Sequence, residues 1–262
     1  MAGALSYCKS GLVTMSNSCY NTIATAESQN KSGDYSAALE NFNNVLSKCD
    51  AYDAKEKANA GKAAALNGLK QYNDALAAAN AGLKISPSSI NNLFEKASAE
   101  LGLGMNAEAK ADLNTVLSLT EKNQHASERA TIYAKIAALD SRQKMYADAM
   151  NNIGQAITLD PSNPDFIVLK GDIQSASGNF EDALGSYDEA IAKGKNDFTA
   201  YKAKVTAMLK MNQKKYGTDN ADVLAKKMSN SEKQNLCGSI RSAQDKGMKD
   251  ITIDLTQAAI CK

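Results

Sequence analysis

The sequence predicts an all-α chain built as a stack of helix hairpins. Three observations carry that prediction. A seven-residue turn motif recurs five times, apolar residues follow each recurrence at steps of three and four, and the 262 residues include only 3 prolines and no tryptophan. Ala, Lys and Leu, which crowd the chain, are good helix formers. The scarcity of proline and aromatic residues argues against a β-sandwich or a Pro-rich linker.

The five turn segments are Gly33–Leu39, Lys70–Leu76, Gly104–Lys110, Lys144–Met150 and Gly178–Leu184. They share an alanine at Ala38, Ala75, Ala109, Ala149 and Ala183, spaced by 37, 34, 40 and 34 residues. The longer spacings place extra loop residues around Ala51 to Ala54 and Lys122 to Ser127. Recurrence at this interval is the mark of a repeat array in which each unit buries its apolar face on the next. After the turns, Phe42, Val45 and Leu46, then Leu113, Val116 and Leu117, then Ile153, Ala156 and Ile157, then Tyr187, Ala190 and Ile191 draw one apolar helix face each. Pro87 and Pro161 stop their helices because proline cannot continue the hydrogen-bond ladder. A second periodic stretch precedes each turn, as in Leu93, Ala97 and Leu101, with small residues at Ala63, Ala97, Ala137 and Gly171 that let two helices approach. Asp34, Asp74 and Asp148 lie at the turns and are expected to cap the following helices.

Beyond the fifth hairpin, Phe198, Tyr201, Val205 and Leu209 mark a sixth first-helix, and Lys214–Asp219 reads as a loop. Asp222–Met228 reads as helix. Ser231 with Gln234 three residues on has a capping signature, and Leu236 and Ile240 continue that helix until Lys246-Gly247-Met248. Residues 251–260 fit a last helix but also alternate like a strand.

Lys plus Arg is 30 and Asp plus Glu is 29, so the net charge of +1 gives no electrostatic reason to expect nucleic acid as the partner. No apolar run reaches the 18 or so residues a membrane span requires. Met1 to Tyr7 lack a basic start and a long apolar run, so they do not read as a signal peptide, and Tyr7 is too large for the residue before a lipid-modified cysteine. The single histidine, His125, sits in a polar loop and reads as solvated, so histidine-based catalysis or metal binding is not expected. No phosphate-binding glycine loop or nucleophile elbow occurs. No cofactor and no enzymatic activity are expected.

The turn motif, its aromatic residue, the shared alanine and the exit prolines resemble the tetratricopeptide repeat family. Two residues depart from the pattern, Asn106 in place of the turn aromatic and Thr22 where a large side chain is usual. The resemblance implies a right-handed α-solenoid of about five hairpins with an N-terminal helix and a C-terminal helical cap. The corresponding division is an N-terminal helix over 1–17, repeats over 18–52, 53–88, 89–124, 125–162 and 163–196, and a terminal part over 197–262. It also implies a partner-binding groove lined by the first helix of each repeat. The faces turned away from the apolar stripes hold Ile23, Glu27, Asn30, Asn67, Phe94, Glu95 and Ser98, then Lys135, Arg142, Val168, Asp172 and Lys202. Each also reads as an ordinary solvated helix face, with Phe94 the best candidate for an anchor. Some relatives clamp the C-terminal carboxylate of chaperones with cations. The matching places here hold Ile23, Glu27, Gly61, Asn91 and Glu95, two acids and no cation, so that ligand is not expected.

Cys19 and Cys49 lie 14 and 16 residues either side of the turn at Gly33, and Cys237 and Cys261 lie 10 and 14 residues either side of Gly247. Antiparallel helices bring such mirrored positions together, so disulfides Cys19–Cys49 and Cys237–Cys261 are expected, with buried free thiols as the alternative. Cys8 is left over. The pairing implies an oxidising compartment, hence a bacterial periplasm or envelope, with the cytoplasm as the alternative. The functional expectation is a protein–protein interaction scaffold that binds a partner peptide or protein. A small-ligand or glycan-binding protein and a regulatory subunit docking on an enzyme are the alternatives.

Overall fold

The computed structural model describes residues 15–121 and 126–261. The described residues form fourteen α-helices and no strand, and no helix among them is long and apolar enough to cross a membrane. The chain divides into two compact units, Met1–Lys122 and Asn123–Lys262.

The first unit contains three sequential hairpins: α1 (Asn17–Ser32) with α2 (Tyr35–Lys48), α3 (Tyr52–Gly68) with α4 (Tyr72–Ile85), and α5 (Ile90–Leu103) with α6 (Asn106–Leu119). The second contains two more, α7 (Ala126–Arg142) with α8 (Tyr146–Leu159) and α9 (Pro164–Ser177) with α10 (Phe180–Ala192). It then adds a long α11 (Phe198–Tyr216), a short α12 (Ala221–Lys227), α13 (Asn230–Asp245) and α14 (Ile251–Ile260).

All five hairpin turns use the same backbone device. Gly33, Lys70, Gly104, Lys144 and Gly178 adopt left-handed φ values of 83°, 61°, 78°, 61° and 86°. The next amide in each case reaches back to the helix it leaves, as Asp34 N to Gln29 O at 2.9 Å and Met145 N to Asp140 O at 2.8 Å. This satisfies a carbonyl that the helix end would orphan. The shared alanines Ala38, Ala75, Ala109, Ala149 and Ala183 are all fully buried, since any larger side chain would hold the paired helices apart. Glycine serves the same purpose across helices. The Phe42 ring fills the place of a Gly61 side chain, and the Tyr187 ring fills that of Gly171.

A polar pair crosses four of the hairpins at one repeated position, twelve residues apart in sequence. Asn41 donates to Gln29 at 2.9 Å, Asn152 to Asp140 at 2.9 Å and Ser186 to Gln174 at 2.6 Å. In the third hairpin the same positions hold two acids, Glu100 and Asp112. Lys96 joins them at 3.4 and 2.7 Å. Only 2% of Glu100 is exposed. Its burial, reinforced by the facing Asp112 carboxylate, pushes its pKa up to about 7 against the pull of Lys96.

Both expected disulfides are present. Cys19–Cys49 ties the start of α1 to the end of α2, with Cα atoms 6.2 Å apart. Cys237–Cys261 ties α13 to the residue following α14, with Cα atoms 5.8 Å apart. The N-terminal helix expected over 1–17 falls almost wholly on residues 1–14, outside the described residues, as do Cys8 and His125.

The structure corrects four local readings. Helix α11 runs on through Lys214–Tyr216, because two lysines suit a helix C-terminus and Tyr216 is anchored by its hydroxyl, which donates to Glu232 at 2.8 Å. Gly217, at φ 63°, ends the helix instead. The capping box of α13 is Ser229 with Glu232, two residues before the expected pair, because Met228 is buried and fixes the chain's entry there. Asp34 caps α2 as expected, but Asp74 and Asp148 sit inside the first turns of α4 and α8, where a negative charge favours the helix dipole without capping. Ile23, read with the outward face, is 4% exposed and belongs to the core with Ala26 and Phe42. Residues 251–260 form a helix started by Asp250, whose carboxylate accepts from Thr252 N at 3.0 Å and Ile253 N at 3.2 Å.

Candidate functional site

In the first unit, the residues read as an outward face divide into two groups. Asn30 and Asn67 occupy equivalent places and join neighbouring hairpins. Asn30 Nδ2 donates to Gly61 O at 2.9 Å, and Asn67 Nδ2 to Glu95 O at 3.0 Å and Glu95 Oε2 at 2.9 Å. Glu27 is exposed on α1, whereas Phe94, Glu95 and Ser98 are half-buried on α5. Ser98 Oγ donates to Phe94 O at 3.0 Å.

In the second unit, Lys135 is half-buried and Arg142 exposed on α7. Asp172 and Lys202, from α9 and α11, line one cleft of about 420 Å3. Helix α11 supplies its longest wall. At 3.6 residues per turn, steps of four put Phe198, Lys202, Thr206 and Lys210 along a single face. Phe198, following the N-cap Asp197, is 41% exposed. Sequence reading assigns it to the apolar stripe of α11. Its place in the first turn, beyond the helices that would cover it, is the signal that it is open to solvent.

The opposite wall is built by α9 and α10. The buried Tyr187 stands behind Asp172, and its hydroxyl donates to Asp172 Oδ1 at 2.8 Å. Desolvation by the surrounding helices holds the Asp172 carboxyl above its ordinary value, although the Tyr187 hydrogen bond and the Lys210 charge pull the other way. The Tyr187 phenol is raised by its own burial and by the Asp172 charge. Lys202 Nζ meets Asp250 Oδ2 at 2.7 Å, so the residue that starts α14 also neutralises one cation of the cleft. The cleft thus offers an aromatic surface at one end, two lysines along its length and a fixed carboxylate between. That set suits an extended chain carrying apolar and charged side chains. Among the described residues no group of three or more His, Cys, Asp or Glu is placed to hold a metal ion.

Residues 142–208, which include both Asp172 and Lys202, match the tetratricopeptide repeat family. No curated protein matches the chain in sequence. Among solved structures, a thermophilic tetratricopeptide repeat protein from Thermus thermophilus is similar with a TM-score of 0.61 at 17% identity, over 73% of this chain and 99% of that one. A tetratricopeptide repeat protein from Parabacteroides merdae gives a TM-score of 0.59 at 16% identity, over 94% of this chain and 100% of that one. YrrB, described as a tetratricopeptide repeat protein with an unusual peptide-binding site, gives 0.54 at 13% identity, over 83% of this chain and 97% of that one.

Proposed function

We propose that this tetratricopeptide repeat protein is a non-enzymatic interaction scaffold that binds a segment of a partner protein in the cleft between α9 and α11. The observation that carries the reading is the stripe of Phe198, Lys202, Thr206 and Lys210 facing Asp172 across about 420 Å3 of open space. An exposed aromatic beside cations is the composition expected of an anchor for a peptide. The peptide-binding site of the structurally similar YrrB supports the reading by analogy of fold. The two disulfides favour an oxidising location, and a bacterial periplasm or envelope is the compartment we propose.

The test is a photo-crosslinking residue placed at Thr206, with the captured protein identified by mass spectrometry. Phe198→Ala and Lys210→Glu run beside it, and Glu27→Lys in the first unit serves as a control. One protein recovered in defined yield is expected, falling about tenfold or more in each cleft variant, as for loss of an anchor residue, and unchanged in the control. Capture that is indifferent to Phe198 and Lys210 overturns the assignment.

A further inference from the structure

Helix α11 has a second cleft on its other side. At roughly 100° per residue, Lys204 lies about half a turn around the helix from the Phe198–Lys210 stripe and Tyr201 about a third of a turn. They face a pocket of about 320 Å3 closed by α10 and α13. Its size falls in the range of about 300–1,000 Å3 typical of small-ligand sites.

The pocket's chemistry is polar and close to neutral. Lys204 Nζ pairs with Asp188 Oδ1 at 2.5 Å, so its one cation is already matched by its one anion. Helix α13 contributes the exposed Gln234 and Asn235 and the half-buried Ser239, whose side chains make no hydrogen bond to other described residues and are open to solvent or a ligand. Each amide carries a donor and an acceptor side by side, and each hydroxyl can do either. Ile191 and the half-buried Tyr201 add an apolar border, and Lys246 Nζ sits 5.7 Å from the Tyr201 ring centroid.

Gly238 completes the picture. It lies inside α13 without a left-handed φ, and a Cβ there would meet nothing within 4 Å. Gly238 is exposed at the edge of the pocket, so a larger side chain there would project into its mouth.

We propose that this pocket binds a small neutral polyhydroxylated ligand, of which a hexose unit of a glycan is the chemical type. Vicinal hydroxyls, each both donor and acceptor, match the paired donors and acceptors of Gln234 and Asn235. The carbon face of the ring suits the border of Ile191 and Tyr201. Lys204, the one cation among the lining residues, is already held by Asp188, which leaves the lining itself no free charge for an anion. The pocket shares no lining residue with the partner cleft.

Saturation-transfer NMR with glucose, galactose and N-acetylglucosamine as separate probes tests this on the full chain. Saturable binding of at least one is expected. Asn235→Ala should weaken it about tenfold, the loss of one well-formed hydrogen bond. Gly238→Leu, which projects into the pocket, should abolish it, while Glu27→Lys in the first unit leaves it unchanged. Gly238→Ala serves as the milder variant, with circular dichroism confirming the native fold of each. No saturable binding by any of the three sugars, or binding that survives both the Asn235 and the Gly238 substitutions, overturns the proposal.

Discussion

The ring of Phe42 lies where Gly61 would carry a Cβ, so α2 and α3 meet across a side chain the sequence omits. Phe42 is fully buried there and central to the core of the first hairpin. Gly61→Ala should therefore destabilise the protein by about 1–3 kcal/mol, the range for overpacking a well-filled core. Gly154→Ala is the contrast. Gly154 lies within α8, and an added Cβ meets nothing, so the same change should stabilise by about 0.5–1 kcal/mol through helix propensity. Urea unfolding of the two variants reads both signs.

Lys70 and Lys144 hold the left-handed turn position that glycine holds in the other three hairpins. A side chain is strained at such φ values. Replacing either lysine by glycine should raise stability by about 1 kcal/mol, measured as a higher urea midpoint with an unchanged m value.

Glu100 makes the fold sensitive to pH. Its carboxyl ionises near its ordinary value of 4.5 in the unfolded chain and at about 7 in the folded one. Between those values folding takes up a proton. This contribution is full below pH 4.5, declines as the pH rises and is lost above about 7. Glu100→Gln removes the dependence, so its advantage over the parent should grow from about pH 5 to about pH 8, to ~3.5 kcal/mol at most for a shift from 4.5 to about 7 at about 1.4 kcal/mol per pKa unit. Asp112→Asn copies the acid–amide pair that Asp140 and Asn152 form in the next hairpin, and should flatten the same slope by removing the facing charge. Thermal unfolding of the three proteins across this pH range measures it.

Reduction should be costly at both ends of the described chain. Cys19–Cys49 and Cys237–Cys261 close loops with sequence separations of 30 and 24 residues, for which about 2–4 kcal/mol each is typical. Cys237→Ser should lower the melting temperature in oxidising buffer and abolish part of the further drop that reductant causes in the parent.

The turns, the shared alanines and the mirrored cysteines are legible in the sequence because each rests on local spacing, which the five repeats supply several times over. The α13 capping box and the end of α11 are not. There the competing residues lie two or three positions apart, and the choice is made by the burial of Met228 and the anchoring of Tyr216. The polar pairs such as Gln29 with Asn41 escape a reading that follows apolar residues only, though their constant separation is visible once sought. For the candidate clefts, sequence places Asp172 and Lys202 on outward faces but not opposite each other. Their meeting depends on how successive hairpins rotate, a property of packed surfaces rather than of any one helix. Asn30 and Asn67 show the converse, because an amide on an outward face can equally reach the backbone of the next hairpin.

The Cys19–Cys49 bond also alters what the protein does under load. Tension entering at residue 15 passes through the bond from the head of α1 to the tail of α2, so the first helix pair carries none of it. The helices after it take the strain first, and the enclosed length stays hidden however hard the chain is pulled. Between Cys19 and Cys49 that length is 30 residues, roughly 100 Å of extended chain at ~3.3–3.6 Å per residue. A stretched molecule should therefore come up shorter by that amount when oxidised than after this bond is reduced, and Cys237–Cys261 withholds a further 24 residues in the same way.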